Sequence, residues 1–285
     1  NDTIVQSIKN DIARLKEQQR ITRTQVKAEE KDMRALTKEL DKAKAQIQRD
    51  KEATKKAKKN IARYLDGKNI VFYASFMDYR GYVDSLGYTF EWFDHCVPVD
   101  KNFNYAPGQF YEGQPKQSGD AGLAVLTAIE RMKDGGYKTL SDSLVNLYIK
   151  HLVHFLPDSH TPSHLIYNFR STNYWVGTGG DSKALFHGIW DAIPERYGVH
   201  HWSNNEWCEY LTESLTKQQI AEIQSGTFED WVHQNAVDCM KAYEIVREGD
   251  SLQNPDCWEA TVLTEQQLLR AGLHLAKVLN DIFNK

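Results

Sequence analysis

The sequence predicts an all-α protein in two parts: a helical arm over residues 1–55 and a multi-helix body over residues 56–285. Three observations carry this. Residues 1–65 contain neither Gly nor Pro, the two strongest helix breakers. After Gly67 the composition changes, and aromatic residues, Gly, Pro and His become common. In that second part, helix-capping residues and apolar positions spaced three and four apart recur, and no convincing strand pair is seen.

In the arm, Val5, Ile8, Ile12, Leu15, Val26, Met33, Leu36, Leu40, Ala43 and Ile47 fall on a heptad seam. Gln19, Thr22 and Glu29 interrupt its middle. Two architectures fit this pattern. One is a long coiled-coil helix pairing with another chain, which makes the protein a homo-oligomer. The other is a helical hairpin turning near residues 22–30.

In the body, residues 119–134 place Leu123, Leu126, Ile129 and Met132 on one face and stop at Gly135-Gly136. Ser141 caps a helix bearing Leu144, Tyr148, Leu152 and Phe155. Thr216 with Gln219, and Thr264 with Gln267, read as capping boxes opening amphipathic helices. The last helix carries Leu268, Leu269, Leu273, Leu275 and Leu279. Residues 97–118 (with Pro98, Pro107 and Pro115) and 168–184 (with Gly177, Gly179 and Gly180) read as long loops. The six tryptophans from Trp175 to Trp258 are assigned to the core.

Net charge is −4, but residues 1–68 hold 19 Lys and Arg against 11 Asp and Glu. A basic arm is therefore joined to an acidic body. The plain reading is a solvated helix surface; the sharper one is contact with polyanions or anionic membrane. No apolar run reaches the roughly 20 residues of a membrane span. The amino terminus is polar and shows no signal-peptide pattern, as in a secreted protein in its mature form. Cys96, Cys208, Cys239 and Cys257 form no CxxC pair, and their even number permits two disulfides in an oxidising compartment.

The chemistry concentrates in two short segments. His154 and Asp158 lie four apart, so on a helix they share a face, and His164 follows beyond Pro162. His187 and Asp191 repeat the same spacing. Two His-x3-Asp pairs with a further His form a nitrogen and oxygen donor set suited to zinc. His160 reads as a partner orienting a ligand. His151 reads as packing, His200-His201 as a surface turn, and Arg80 as facing either a phosphate or solvent.

The stretch His154 to His164 resembles the His-x3-Asp-x-His-Gln-Pro-Leu-His pattern of zinc-dependent single-strand-specific nucleases of the S-one/P-one type. The resemblance extends over Ala74-Ser-Phe-Met-Asp78, His95 to Asp100, Gly179-Gly180-Asp181, Leu185 to Asp191 and Ala271 to Asn280. It runs from about Ala57 to the end, with the motifs in family order. It implies the helical fold shared with zinc phospholipases C and a secreted or periplasmic protein. It also implies Zn2+ as cofactor: one ion held by Asp78, His95, His154 and Asp158, a second by His164, His187 and Asp191. The family's third ion is bound by a mature amino-terminal Trp and a following His. This chain has no Trp or His before Trp92, and Asp158 would bridge to any ion there and serve in catalysis. Pro157 replaces a family Gly, Cys96 and Pro98 stand at the family's base-contacting positions, and Leu185 replaces an Asn.

What the resemblance implies for function is a phosphoesterase, a nuclease or 3′-nucleotidase hydrolysing phosphodiesters of single-stranded nucleic acid or nucleotides by metal-bound hydroxide. The alternatives are a phospholipase C-type hydrolase and a catalytically degenerate coiled-coil assembly module. Asp191 favours the nuclease branch, because the phospholipases generally place Glu there.

Overall fold

A computed structural model describes residues 2–78, 93–107, 119–167 and 170–284. Arg80 lies outside the described residues. The chain divides into two compact units, Asn1–Lys55 and Lys56–Lys285.

Helix α1 runs without interruption over Asp2–Ala62. The hairpin alternative is therefore wrong: the polar residues at 19, 22 and 29 weaken a packing seam but do not stop a helix. Local pairs support it through this region, including Arg20 to Glu17 at 2.7 Å and the Thr22 and Thr24 hydroxyls, which donate to carbonyls one turn back. Residues 4–52 are all exposed, so the apolar seam is bare; Ile8 is 53% and Leu36 65% exposed.

The second unit is mostly helical. In it Ala57 and Ile61 of α1 are buried, and the Asn60 amide donates to the Phe283 carbonyl at 2.6 Å. Helices α2 (Ala121–Met132) and α3 (Asp142–Asp158) pack side by side. The buried face of α2 is Ala121, Ala124, Val125, Ala128 and Met132. Leu123 is 40% exposed, which corrects the leucine-based face. Small residues win here because they let α3 approach closely.

Ser141 caps α3 by accepting from Leu144 N at 3.3 Å. From Ile149 to Leu156 every residue of α3 is buried, including Lys150, His151 and His154. A helix apolar on all sides belongs in the middle of a domain. Each fully buried Leu or Phe contributes about 1.5–3 kcal/mol. Pro157 sits in the last turn without ending the helix early, so His154 and Asp158 keep a common face. Short helices follow: α4 (Phe186–Asp191), α5 (Asn204–Thr212), α6 (Lys217–Ile223), α7 (Phe228–Cys239) and α8 (Ala242–Ile245). The Thr216–Gln219 capping box opens α6 as expected.

Helix α9 (Asn254–Phe283) packs on α3. Its cap is Gln253 with Asp256, so Thr264 and Gln267 are not a capping box. Both are buried in the middle of the helix, on the face of Ala260, Ala271, His274 and Val278.

Short strands correct the all-loop reading of 97–118 and 168–184. They pair as β1 (Phe93–Asp94) with β3 (Gly119–Asp120), β2 (Val97–Val99) with β4 (Leu165–Tyr167), and β5 (Trp175–Gly179) with β6 (Ser182–Leu185). The last is a hairpin whose turn uses the positive φ of Gly179 and Gly180. These strands are too short for alternation to show in sequence.

Candidate metal centre

Two folding events bring the candidate residues together. First, β2 pairs in parallel with β4, with Val97 opposite Leu165. His95 precedes one strand and His164 the other, so the pairing sets them side by side, and the His164 Nδ1–H donates to the His95 carbonyl at 3.1 Å. Second, the 3₁₀ turns at Ile70–Tyr73 and Phe76–Asp78 are fixed against α3. Tyr73 Oη donates to the Leu65 carbonyl at 2.9 Å, Asn146 donates to the Tyr64 carbonyl, and Lys150 Nζ lies 4.0 Å from the Phe76 ring centre.

The anchored turn then orients both imidazoles. His154 Nδ1–H donates to the Ala74 carbonyl, and His95 Nε2–H donates to the Met77 carbonyl at 3.2 Å. In the neutral tautomers these bonds leave His154 Nε2 and His95 Nδ1 without protons. Those two atoms face one another at 3.1 Å. Asp78 Oδ1 lies 3.5 Å from each. Asp158 Oδ2 lies 3.2 Å from His154 Nε2, 3.3 Å from His164 Nδ1 and 3.7 Å from His95 Nδ1. It is buried and accepts no well-directed hydrogen bond. Opposed lone pairs beside ionised oxygens repel unless a cation lies among them.

The second group forms around α4. Asp191 Oδ1 is 3.1 Å from His164 Nε2, and Asp191 Oδ2 is 3.2 Å from His187 Nε2. Ser163 Oγ also donates to Asp191 Oδ1, at 3.1 Å. The donor atoms of Asp78, His95 and His154 all lie within 4.8 Å of one another, as do those of His164, His187 and Asp191. Imidazole nitrogens with carboxylate oxygens, three or four to a group and already oriented by backbone carbonyls, fit zinc sites that keep a position open. Asp158 lies between the two groups.

The titration pattern follows. Burial works against the ionised form of Asp158 and Asp191, yet the neighbouring imidazoles hold both carboxylates well below their usual range. Burial likewise opposes charge on His154 and His164, but the adjoining carboxylates outweigh it and raise both. Burial and the nearby His154 lower His95. The pocket thus favours positive charge among ionised oxygens.

The centre opens into a cleft of about 330 Å³ lined by Asp78, His154, Asp158, Asp191, Trp190 and Gln267, among others. Gln267 and Trp190 were not singled out for this role by sequence. The only signal available was a polar Gln on the buried period of α9. His160 is buried and contacts His274 at 2.8 Å, donating to the Leu156 carbonyl through Nδ1. His151 packs in the core against Phe155. His200 stacks on Trp202 at 4.0 Å, within an aromatic cluster separate from both candidate groups. Trp190, Trp207 and Trp231 are buried, but Trp175 and Trp258 are 58% and 57% exposed, which corrects their assignment to the core. Cys208 and Cys257, one exposed and one half-buried, are free thiols.

A family model described as S1/P1 nuclease matches residues 43–284. The match begins inside α1, upstream of Ala57. No curated protein matches the chain.

Proposed function

The chain belongs to the S1/P1 nuclease family, which hydrolyses phosphodiester bonds, and from that premise we propose a zinc-dependent nuclease or 3′-nucleotidase acting on single-stranded nucleic acid. The observation that carries this reading is the facing of His95 Nδ1 and His154 Nε2 at 3.1 Å beside Asp158 Oδ2. Asp78, His95, His154 and Asp158 would hold one ion, and His164, His187 and Asp191 another. The chemistry zinc supplies when bound is Lewis acidity toward phosphoryl oxygen and water. The chain's own residues set the frame for it. The Ala74, Met77 and His95 carbonyls lock the imidazole tautomers, and ionised Asp158 ties the two groups together.

The test is turnover of single-stranded DNA, RNA and nucleoside 3′-monophosphates by the purified chain, after chelation and after zinc is restored. Zinc-dependent hydrolysis of at least one supports the reading. No turnover on any of them refutes it.

For the arm, we propose pairing with a second copy of this chain in parallel register. On the bare seam, the positions flanking the core are mostly basic on one side (Lys9, Lys16, Arg23, Lys44 and Lys51, interrupted by Glu30 and Thr37) and acidic or amide on the other (Asp11, Asp32 and Glu39, with Gln18, Gln25 and Gln46). Parallel pairing sets Asp11 against Lys16 and Glu39 against Lys44 of the second copy, whereas antiparallel pairing sets like charges together.

A further inference from the structure

The metal centre and the paired seam leave one strongly charged feature of α1 without a role. Lys16, Arg20, Arg23, Lys27, Lys31, Arg34 and Lys38 follow one another at steps of four, three, four, four, three and four residues. On a helix such steps set each cation one turn beyond the last, so together they form an unbroken ladder. All of them are exposed. Arg20 pairs with Glu17 at 2.7 Å, and the others meet no carboxylate among the described residues. A groove of about 290 Å³ runs along the first rungs, walled by Lys16, Arg20, Arg23 and Lys27 with no acidic residue. On the side away from the apolar seam, residues 20–38 carry Arg20, Lys27, Lys31, Arg34 and Lys38 and no carboxylate; Glu29 lies on the seam, and Glu30 and Asp32 flank it. Like charges one turn apart destabilise a helix. Solubility alone is served by mixed signs, as over residues 39–52, where four carboxylates are interspersed with four cations. The ladder thus carries a repulsion that an anion bound along it would relieve.

We propose that this ladder is a binding track for the phosphate backbone of single-stranded nucleic acid, separate from the metal centre. The inference rests on the nuclease reading for the kind of polymer, while the charge pattern stands without it. The ladder ends at Lys38 and the family model matches from residue 43, so the track belongs to this chain's arm and not to the family domain. Its cations span about 33 Å of helix axis at about 1.5 Å per residue, one about every 5.5 Å. Phosphates of a duplex strand follow one another about every 3.4 Å and wind away around the duplex axis. A single strand can stretch to the wider spacing and follow a straight track, as it does in positively charged grooves. No aromatic side chain precedes Tyr64 to stack on a base, so the contacts go to phosphate and read no sequence. A lipid surface fits less well. Helices that lie in one present Trp, Phe or Leu opposite their cations, and the arm's leucines belong to the seam that a second copy covers. Arg20, Lys27, Lys31, Arg34 and Lys38 stay open in such a pair. A polymer held on the arm raises the effective concentration of phosphodiesters for the body of the same chain.

The test is binding of a fluorescein-labelled oligothymidylate, long enough to span the ladder, to the full chain by anisotropy. Zinc is chelated so that nothing is cleaved, and salt is varied from about 50 to about 200 mM. Each phosphate neutralised on a single strand contributes about −0.7 to the slope of log affinity against log salt. The combined variant Lys27→Gln, Lys31→Gln, Arg34→Gln and Lys38→Gln keeps good helix formers. It should flatten the slope by about 2.8, so that the same rise in salt weakens it by a factor about fifty times smaller than in the wild type. Arg14→Gln, Arg49→Gln, Lys55→Gln and Lys58→Gln together remove as many charges from α1 outside the ladder, and should leave most of the slope in place. The wild type should also bind the single strand more tightly than a duplex of the same length, a comparison that needs no variant to fold. Four results overturn the inference. One is no binding at the lowest salt, and another is a duplex bound as tightly as the single strand. A third is equal flattening in the two variants, which would mean that net charge alone acts. The last is a ladder variant that keeps the oligonucleotide but loses phosphatidylserine vesicles, which would make the partner an anionic membrane. Failure of the nuclease reading looks different: the strand still binds, and no ester is turned over once zinc is restored.

Discussion

Replacing Asp158 by Asn keeps the shape of the side chain and removes the charge at the junction of the two candidate groups. Structural zinc sites bind with about 10–16 kcal/mol. Shared over four ligands, that is about 2.5–4 kcal/mol each, or roughly 10²–10³ in affinity. At zinc a thousandfold above the dissociation constant, the wild type should gain about 4.1 kcal/mol of stability. The variant, at the same concentration, should gain only about 0.4–1.4 kcal/mol. For a body of this size, each kcal/mol moves the melting temperature by about 2–4 °C. Zinc should therefore raise the wild-type midpoint by about 8–16 °C and the Asn variant's by about 1–6 °C. The assay is thermal unfolding with and without zinc after chelation, paired with metal counting by mass spectrometry. Comparing increments cancels the metal-free loss caused by removing the contacts of Asp158 with His154 and His164. A wild type whose midpoint ignores zinc, or an Asn variant that keeps the whole increment, would refute the reasoning.

Other perturbations follow from the same structure. Phe155 is fully buried and its ring meets that of His95 edge-on at 5.2 Å; Phe155→Ala should cost about 3–5 kcal/mol in denaturant unfolding and also weaken zinc binding. Asp230 lies below the usual carboxylate range because the Thr227 backbone N–H donates to it. Its stabilisation should be present above the unfolded value and be lost as pH falls through the folded one, so Asp230→Ala and wild type should converge in stability in acid. Leu15→Asp with Leu36→Asp should turn a dimer into a monomer by sedimentation, since both side chains lie bare on the seam; a wild type already monomeric rejects the pairing. Ile8→Cys and Ile47→Cys chains should each form same-site disulfides, mapped by mass spectrometry; crosslinking only between unlike sites in a mixture would indicate antiparallel pairing.

Much of the architecture was legible in the sequence because it depends on local rules. A stretch of 65 residues without Gly or Pro makes one helix, and Ser141 and Thr216 cap where the capping rule places them. The His-x3-Asp spacings put ligand-type atoms on common helix faces, and both are within 3.2 Å of their partners. Family membership and a mostly helical fold follow from motifs of that kind. The same local reading failed where position in the core decides. Thr264 and Gln267 carry the letters of a capping box, yet α9 had already begun at Asn254. Leu123 has the right spacing for a buried face, but the alanines of α2 fit closer to α3.

By itself, then, the sequence determined which segments are helical and which side chains have the chemistry to hold a divalent ion, because backbone propensity and donor type belong to the residues. The tertiary structure alone decided that a three-residue strand pairing sets His95 beside His164, that carbonyls at Ala74 and Met77 aim two imidazoles at each other, and that Gln267 faces a cleft with its amide unmet. The histidine contacts among these join residues 18 to 80 positions apart, and their free energy comes from packing and desolvation that no local pattern encodes.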